Sequence, residues 1–356
     1  GAVEDYARLF YALRSAGSRS LGEWLDGRLR DRESPYAALA ERGGEDPALE
    51  AAARRDIETF TLLAELDWDQ VLAEVGGKAP REYGPVLANL PRWRGSSPFS
   101  FAELTEFYRA NGAGLFARHR AFLWEDGALC PVEQPDCPGA DEMLGYELQR
   151  NRVIANTRAM LEGNLVNNVL LYGDSGTGKS ATVKNLLTLP GFEALRLIEV
   201  QKEGLADLPR LIRTLGGRRL KFILFIDDLA FDQDDKTYSA LKTILEGGLE
   251  RRPANVAVYA TSNRRRLVRQ TFSDRAGDEV DASETIQEKT SLSDRFGLRI
   301  PYLALNQAEF LELVEGMAEQ AGIALDRDSL RAEAVKWEMR NPGRTPRTAK
   351  QFIASL

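Results

Sequence analysis

Residues 167–181 read NNVLLYGDSGTGKSA, a short apolar run followed by a glycine-rich turn. The run 169–172 is typical of a buried strand, and helix-forming residues continue from the turn to Leu189, where Pro190 and Gly191 end the helix. The turn has the spacing G-x-x-x-x-G-K-[ST], in which glycines let backbone N–H groups converge on phosphate oxygens. A chance glycine turn is the alternative, but the strand before it and the helix after it favour a phosphate-binding loop. The stretch therefore predicts that the chain binds a nucleoside triphosphate.

Two side chains of this loop carry the expected chemistry. Lys179 can reach the β- and γ-phosphates, and the Ser180 hydroxyl can ligate Mg²⁺. ATP and Mg²⁺ are therefore the expected cofactors. The loop residues expected to contact the nucleotide are Gly173, Asp174, Ser175, Gly176, Thr177, Gly178, Lys179, Ser180 and Ala181.

Two further apolar runs end in polar residues that can partner a phosphate loop. KFILFIDDL, 221–229, reads as a continuous strand followed by two carboxylates. Asp227 would hold Mg²⁺ through water and Asp228 would polarise the attacking water, whereas a solvated helix cap is the weaker alternative. NVAVYATSN, 255–263, is another such strand. Asn263 could orient the water, or could simply form a turn at the strand end.

Two arginines later in the chain are candidates for sensing the γ-phosphate. In TSLSDRFGL, 290–298, Arg295 could reach the nucleotide of a neighbouring subunit as an arginine finger, or form a salt bridge within its own subunit. Arg347 lies in a predicted first helical turn, where the helix dipole disfavours a cation by about 0.3–1 kcal/mol. A nearby phosphate would reverse that sign. Arg347 is therefore expected to sense the γ-phosphate, with Arg344 as the alternative.

Composition limits where the chain works and what it binds. The 356 residues are 43% hydrophobic and 28% charged, with a net charge of −7 and two cysteines. No apolar run approaches the ~20 residues needed to span a bilayer. The acidic balance disfavours general binding to nucleic acid, and so few cysteines fit a reducing compartment. The expected location is the cytoplasm, without a membrane partner.

Helical and strand periodicities divide the chain into four parts. Apolar residues recur at helical spacing in the first part, whereas strands and helices alternate after residue 143, as a parallel sheet with crossover helices requires. A capping box of Asn306 and Glu309 opens the first of three predicted C-terminal helices. The expected parts are an N-terminal helical domain (1–125), a proline- and acid-rich linker (126–142), an α/β nucleotide-binding domain (143–305) and a C-terminal helical lid (306–356).

The ordered motifs GDSGTGKS, FILFIDD, YATSN, SLSDRFG and GRTPRTAKQF resemble those of an AAA+ ATPase. The surrounding sequence, including MLGYELQ at 143–149 and ALKTILEGGLE at 240–250, is similar to one bacterial AAA+ family, catalogued as domain of unknown function 815. This resemblance is close over about 140–356 and looser before it. It implies a P-loop NTPase fold with a five-stranded parallel sheet, and ATP hydrolysis in a homo-oligomeric ring, expected to be a hexamer. It also implies that Gly145 and Tyr146 lie by the adenine and that Asn168 restrains the catalytic acid.

Departures from better-known AAA+ proteins leave the client open. Asp228 stands where most of them have Glu, and an Asp-Asp pair also resembles the replication-initiator branch. QKEGLADL, 201–208, lacks the aromatic residue of protein-threading pore loops. The basic cluster 264–269 could line a subunit interface or contact nucleic acid, and 272–290 reads as a solvated acidic loop. Remodelling of an unknown protein client is the first expectation, with a DNA-associated initiator- or loader-like ATPase and a slow nucleotide-dependent switch as alternatives.

Overall fold

A computed structural model of the chain describes residues 2–78, 81–90, 92–230, 241–242, 244–245, 252–263, 292–341 and 343–356. The chain divides into two compact units, Gly1–Arg118 and His119–Leu356. The basic cluster 264–269 and the acidic loop 272–290 lie outside the described residues. Of the helices described, none is both long and apolar enough to cross a membrane.

The first unit is helical, as predicted. Ser20, Ser34 and Asp46 each precede a helix and accept a hydrogen bond from a backbone N–H of its first turn, which fixes where these helices begin. Tyr36 and Leu104 are buried in a shared core. The helices are α1 (Ala2–Ser15), α2 (Leu21–Asp31), α3 (Pro35–Arg42), α4 (Pro47–Ala64), α5 (Trp68–Lys78), α6 (Gly84–Ala88), α7 (Phe101–Asn111) and α8 (Leu115–Arg118).

The second unit is built on a seven-stranded sheet within the described part of the chain. Its order is β2-β1-β4-β5-β6-β3-β7, with every neighbouring pair parallel except β1 and β2. All residues of β6 are buried, as expected for a parallel strand covered on both faces. The strands are β1 (Ala121–Glu125), β2 (Ala128–Pro131), β3 (Val169–Gly173), β4 (Leu195–Val200), β5 (Lys221–Ile226), β6 (Val256–Ser262) and β7 (Leu298–Tyr302).

The sheet therefore corrects the predicted strand count of five. The two additional strands, β1 and β2, come from the end of the segment expected to be helical and from the expected linker 126–142. Asp126 and Gly127 join them, with φ of 49° and 74°. Positive φ at both positions is the requirement of a two-residue type I′ hairpin turn. Because β1 also pairs with β4 in parallel, the hairpin extends the nucleotide-binding sheet rather than linking two domains.

Helices of the second unit lie between the strands and after the last one. Between the strands are α9 (Glu147–Leu161), α10 (Lys179–Asn185) and α11 (Leu208–Leu215); the lid comprises α12 (Gln307–Gln320), α13 (Arg327–Arg340) and α14 (Pro346–Ile353). The predicted capping box is confirmed: Asn306 accepts from the Glu309 N–H at 3.0 Å, and the Asn306 N–H donates to Glu309 at 2.9 Å. Phe310 and Phe352 bury themselves in the lid's own core.

Candidate nucleotide-binding site

A cavity of about 490 Å³ lies where β3, β5 and β6 end. Parallel strands present their carboxyl ends at one edge of a sheet, and ligands of open α/β sheets bind outside that edge. The second unit thus brings together residues from the phosphate loop, the acid pair, α9 and the lid. Lining residues include Gly145, Tyr146, Arg150, Ser175, Gly176, Thr177, Gly178, Lys179, Ser180, Ala181, Asp227, Asp228, Thr261, Asn263, Arg347 and Lys350.

The phosphate loop depends on glycine at its first position. Gly173 has a φ of 134°, and a Cβ added there would lie 2.1 Å from the Tyr302 carbonyl oxygen. No L-residue fits such a contact without moving β7. Gly173 and Asp174 are not among the residues that line the cavity, unlike the loop residues from Ser175 to Ala181.

Lys179 is the buried cation of the loop, with 6% of its surface exposed. Its Nζ donates to the carbonyl oxygens of Gly173 at 3.1 Å and Asp174 at 2.6 Å. Burial lowers the pKa of Lys179 and is the largest effect, while the carboxylates of Asp174, Asp228 and Asp227 raise it. A phosphate entering the cavity would place a negative charge beside this desolvated ammonium and so favour its charged form.

The Thr261 hydroxyl forms hydrogen bonds with both acidic residues that follow β5. Asp227 Oδ1 accepts from Ser180 Oγ at 2.6 Å and from the buried Thr261 Oγ1. The Asp228 N–H donates to Thr261 Oγ1 at 2.9 Å, and Asn263 Nδ2 donates to Asp228 Oδ1 at 2.8 Å. Asn263 therefore orients the second carboxylate directly.

The adenine-side residues implied by the resemblance are also at the cavity. Tyr146 has a φ of 53° and begins α9. Its ring stacks on Tyr302 with centroids 5.1 Å apart, and its hydroxyl donates to the Leu303 carbonyl. Arg150, one turn along α9, donates to the Gly145 carbonyl. These bonds fix the Gly145–Tyr146 turn against the end of β7.

The lid reaches the site through α14. The Arg347 N–H donates to the Gly176 carbonyl at 3.2 Å, and a Cβ on Gly176 would lie 3.0 Å from Arg347 Cβ. Arg347 and Lys350, three residues apart and therefore on one helical face, both line the cavity and are exposed. Arg344 instead forms an ion pair with Glu338 at 2.7 Å. The lid thus contributes two cations to the cavity.

Two candidates lie elsewhere. Arg295 is placed three residues ahead of β7, and it is not among the cavity-lining residues of the described chain. Asn168 precedes β3, at the opposite end of that strand from the phosphate loop, and its Oδ1 accepts from the Val258 N–H at 3.0 Å and from Arg252. The expectation that Asn168 restrains the catalytic acid is therefore wrong, because a strand of five residues spans roughly 16 Å.

Thr261, Arg150 and Lys350 are among the cavity-lining residues to which the sequence assigns no role. Thr261 stands inside the quoted motif YATSN. The available signal was a hydroxyl residue at the end of a predicted buried strand, one strand away from the two carboxylates. Arg150 and Lys350 are charged residues on helices, and no local pattern distinguishes them from solvated ones. Only the convergence of α9 and α14 on the cavity identifies them.

The chemistry of the donor set suits Mg²⁺. A Ser180 hydroxyl and an Asp227 carboxylate 2.6 Å apart are hard oxygen ligands of the kind this ion prefers. Within the described ranges, no group of three or more His, Cys, Asp or Glu side chains could hold a metal ion alone. Mg²⁺ characteristically takes its remaining ligands from phosphate and water. Two protein ligands are therefore enough when a nucleotide is bound.

The mostly parallel sheet, the phosphate loop at the end of β3, the acid pair and the helical lid define a P-loop NTPase of the AAA+ class. The chain belongs to the family described as "Protein of unknown function (DUF815)", whose model matches residues 117–356.

The chain is similar in part to solved structures of one motor protein. The RuvB Holliday junction branch migration motor of Thermotoga maritima is 16% identical with a TM-score of 0.40, over 62% of this chain and 63% of that chain. Two point variants of the same motor are 14% and 17% identical with TM-scores of 0.40 and 0.38, each over 62% of this chain and 64% of theirs. The chain thus spans less than two thirds of the length of these motors. No curated protein matches the chain.

Proposed function

We propose that the chain is an Mg²⁺-dependent ATPase that couples ATP binding and hydrolysis to the remodelling of a protein partner. One observation carries the proposal: a single cavity is lined by a buried lysine, a hydroxyl–carboxylate pair, a second oriented carboxylate and an arginine of the lid. These are the groups that phosphoryl transfer needs, since its catalysis is mostly positioning and charge stabilisation.

In this proposal, each residue at the phosphate end has one task. Lys179 binds the β- and γ-phosphates, and the backbone N–H groups of the loop hold their oxygens. Ser180 and Asp227 hold Mg²⁺, which neutralises charge on the phosphates when bound. Gly145 and Tyr146 shape the other end of the cavity and receive the adenine.

Hydrolysis then requires a water molecule in line with the bond to be broken. Its oxygen attacks the γ-phosphorus, the bond from that phosphorus to the bridging oxygen of ADP breaks, and the water proton passes to Asp228. Asn263 holds the Asp228 carboxylate at 2.8 Å and so keeps it aimed. Arg347 from the lid offsets charge that develops on the transferred group.

Coupling to a partner is the finer part of the proposal. The lid touches the phosphate loop at Gly176, so a change at the γ-phosphate would alter the position of the lid. The helices of the first unit are proposed as the docking region for the partner. Subunits are proposed to act in a ring, with Arg295 contacting the nucleotide of a neighbour.

The first part of the proposal to test is that the chain binds ATP through Lys179. ATP with Mg²⁺ at about 100 times its Kd should stabilise the chain by roughly 2.7 kcal/mol, seen as a rise of several degrees in Tm. Lys179→Ala should lose most of that rise, because the variant lacks the ammonium that meets the phosphates. Lys336→Ala is a matched control, since Lys336 lies on the lid surface and forms an exposed ion pair with Glu333.

Phosphate release measured on the same samples completes the test. The parent should release phosphate only with Mg²⁺, and an added client should accelerate it. An equal rise in Tm for the parent and Lys179→Ala would remove Lys179 from the site. Tight ADP retention with turnover that no partner changes would instead support a slow nucleotide-dependent switch.

A further inference from the structure

The chain between the sheet and the lid, 302–305, is held by the nucleotide site at successive residues. The Asp174 N–H donates to the Tyr302 carbonyl at 2.9 Å, and the Leu303 carbonyl accepts from Tyr146 at 2.5 Å. The Ala304 N–H donates to Asp174 Oδ2 at 2.7 Å. The next N–H, of Leu305, donates to the Arg344 carbonyl in the lid at 2.9 Å. This connection is therefore bonded to the phosphate loop on one side and to the lid on the other.

Of the two bonds that Asp174 makes to this connection, the side-chain bond is the one that depends on residue type. Its backbone bond to Tyr302 is available to any residue except proline, whereas its bond to Ala304 requires a side-chain acceptor of this length. A carboxylate that accepts from a backbone N–H forms a charge-assisted bond, which is stronger than a neutral one. Replacing Asp174 with alanine would remove the bond and leave the Ala304 N–H to water.

The backbone carbonyl of Asp174, unlike its N–H, faces the interior of the phosphate loop. Its carbonyl accepts from Lys179 Nζ at 2.6 Å and from Thr177 Oγ1 at 2.8 Å. One residue of the loop thus contacts the cation that meets the nucleotide and also the chain that leads to the lid. Gly176 supplies a second contact, to Arg347, but that contact is made by backbone atoms.

We propose that Asp174 is a positioning residue that fixes the sheet-to-lid connection to the phosphate loop, so that nucleotide binding sets the position of the lid. This inference rests on the proposed function. Asp174 acts through Ala304 rather than on the nucleotide, because its side chain does not line the cavity. The fixed connection then holds Arg347 at the γ-phosphate together with the direct contact between Arg347 and Gly176.

The carboxylate has one other role that must be separated from this one. It lies near enough to Lys179 to raise the pKa of that lysine, against the larger lowering effect of burial. Asp174→Asn separates the two roles, since its amide oxygen can still accept from the Ala304 N–H but carries no charge. Asp174→Ala removes both the acceptor and the charge.

The test compares the parent with Asp174→Ala, Asp174→Asn and, as control, Asp136→Ala, an exposed aspartate outside the cavity lining. Amide exchange at Ala304 is measured by NMR without nucleotide, and the Kd for ATP and kcat are measured with Mg²⁺. Asp174→Ala should speed Ala304 exchange by about tenfold, and kcat should fall more than ATP affinity, which should weaken by roughly three- to tenfold. Asp174→Asn should stay within about twofold of the parent in all three measurements.

Each outcome decides the matter. If Asp174→Asn behaves like Asp174→Ala, the charge matters and not the bond, and the proposal is overturned while ATP binding by the parent stands. The same holds if Asp174→Ala leaves Ala304 exchange and kcat unchanged. If the parent shows no Lys179-dependent ATP binding, the proposed function fails and this inference fails with it.

Discussion

Asp228 is held at three points although its side chain faces the cavity. Its N–H donates to Asp227 at 3.1 Å and to Thr261 at 2.9 Å, and its carboxylate accepts from Asn263. Its φ of 49° lies in the left-handed region, which asparagine and aspartate tolerate better than other residues with a Cβ. The chain turns directly after β5, and Asp228 lines the cavity in which the attacking water is proposed to lie.

Asp228→Asn should therefore keep the backbone conformation and ATP binding while losing hydrolysis. An asparagine tolerates the same φ, and its amide oxygen can still accept from Asn263, but the amide cannot take a proton from water. Loss of a general base corresponds to a decrease in kcat of about 10²–10⁴-fold. Single-turnover hydrolysis and the Kd for ATP, measured together, separate the two effects.

Asp136→Asn, at an exposed position outside the site, is the control for that experiment. Undiminished turnover of Asp228→Asn would show that another group accepts the proton. A large loss of ATP affinity would instead give Asp228 a binding role.

At the scale of secondary structure, β7 and α10 meet at a buried tyrosine. The Tyr302 hydroxyl lies 3.0 Å from Thr182 Oγ1. Burial raises the pKa of Tyr302 to about 12, with the Thr182 hydrogen bond acting in the opposite direction. The folded chain thus favours the neutral phenol at pH values where the phenol of an unfolded chain already ionises, near pH 10.

This difference makes stability depend on pH in the alkaline range. Above pH 10 the unfolded state binds fewer protons than the folded state, so the free energy of unfolding falls as pH rises. The contribution of Tyr302 is fully present below pH 10 and should be lost by about pH 12, with a size on the order of 2–3 kcal/mol. Denaturant unfolding at several pH values, followed by a probe in the second unit, measures it.

Tyr302→Phe retains the ring and removes the ionisable group. The variant should therefore lose less stability than the parent between pH 10 and pH 12, although it is less stable than the parent at pH 7 because the bond to Thr182 is gone. Equal alkaline losses in the two proteins would mean that Tyr302 does not contribute.

Strands with purely local signals could be predicted from the sequence. β3, β5 and β6 are continuous apolar runs that end in polar residues. In the structure almost all residues of these three strands are buried, as that pattern predicts. The β1–β2 hairpin was missed although AFLWE and ALCP flank an Asp-Gly pair. Asp-Gly between two short apolar runs is a strong turn signal, but proline and acidic residues downstream made the region resemble a linker.

The same distinction applies to the site residues: a local motif predicts some of them, and contacts between distant elements determine the others. Positions inside one contiguous motif, such as Lys179 and Ser180, follow from spacing because the motif itself is the structure. Asn168 shows the limit of resemblance, since residue type was transferred without establishing which end of the strand it occupies. The roles of Thr261 and Lys350 depend on contacts between elements distant in sequence, which no local pattern specifies.

At the scale of the whole molecule, β7 separates Arg295 from the nucleotide site of its own subunit. β7 runs parallel to β3, with Leu298 opposite Val169 and Tyr302 opposite Gly173. Arg295 precedes Leu298 and therefore lies beyond the start of β7, the end of that strand farther from the phosphate loop. A five-residue strand spans roughly 16 Å, more than an arginine side chain can reach back across. This placement supports the proposal that Arg295 serves a neighbouring subunit.

Arg295→Ala should accordingly bind ATP nearly as the parent does and hydrolyse it about 10³–10⁵-fold more slowly, because the transferring phosphoryl group loses a stabilising cation. Specific activity of the parent should rise with protein concentration as subunits assemble. Arg299→Ala is the matched control, since Arg299 lies on β7 and its pairing with Asp294 is exposed, so its loss should cost little.

Mixing two inactive proteins gives the decisive form of this prediction. Arg295→Ala retains a sound phosphate loop, and Lys179→Ala retains a sound arginine. In randomly mixed rings at equal amounts, roughly one quarter of head-to-tail interfaces pair the two intact parts, so about that fraction of parental activity should return. Mixing Arg299→Ala with Lys179→Ala should only dilute active interfaces. If mixing restores nothing and the rate per subunit is independent of concentration, Arg295 does not act between subunits, and the proposed ring loses its catalytic role.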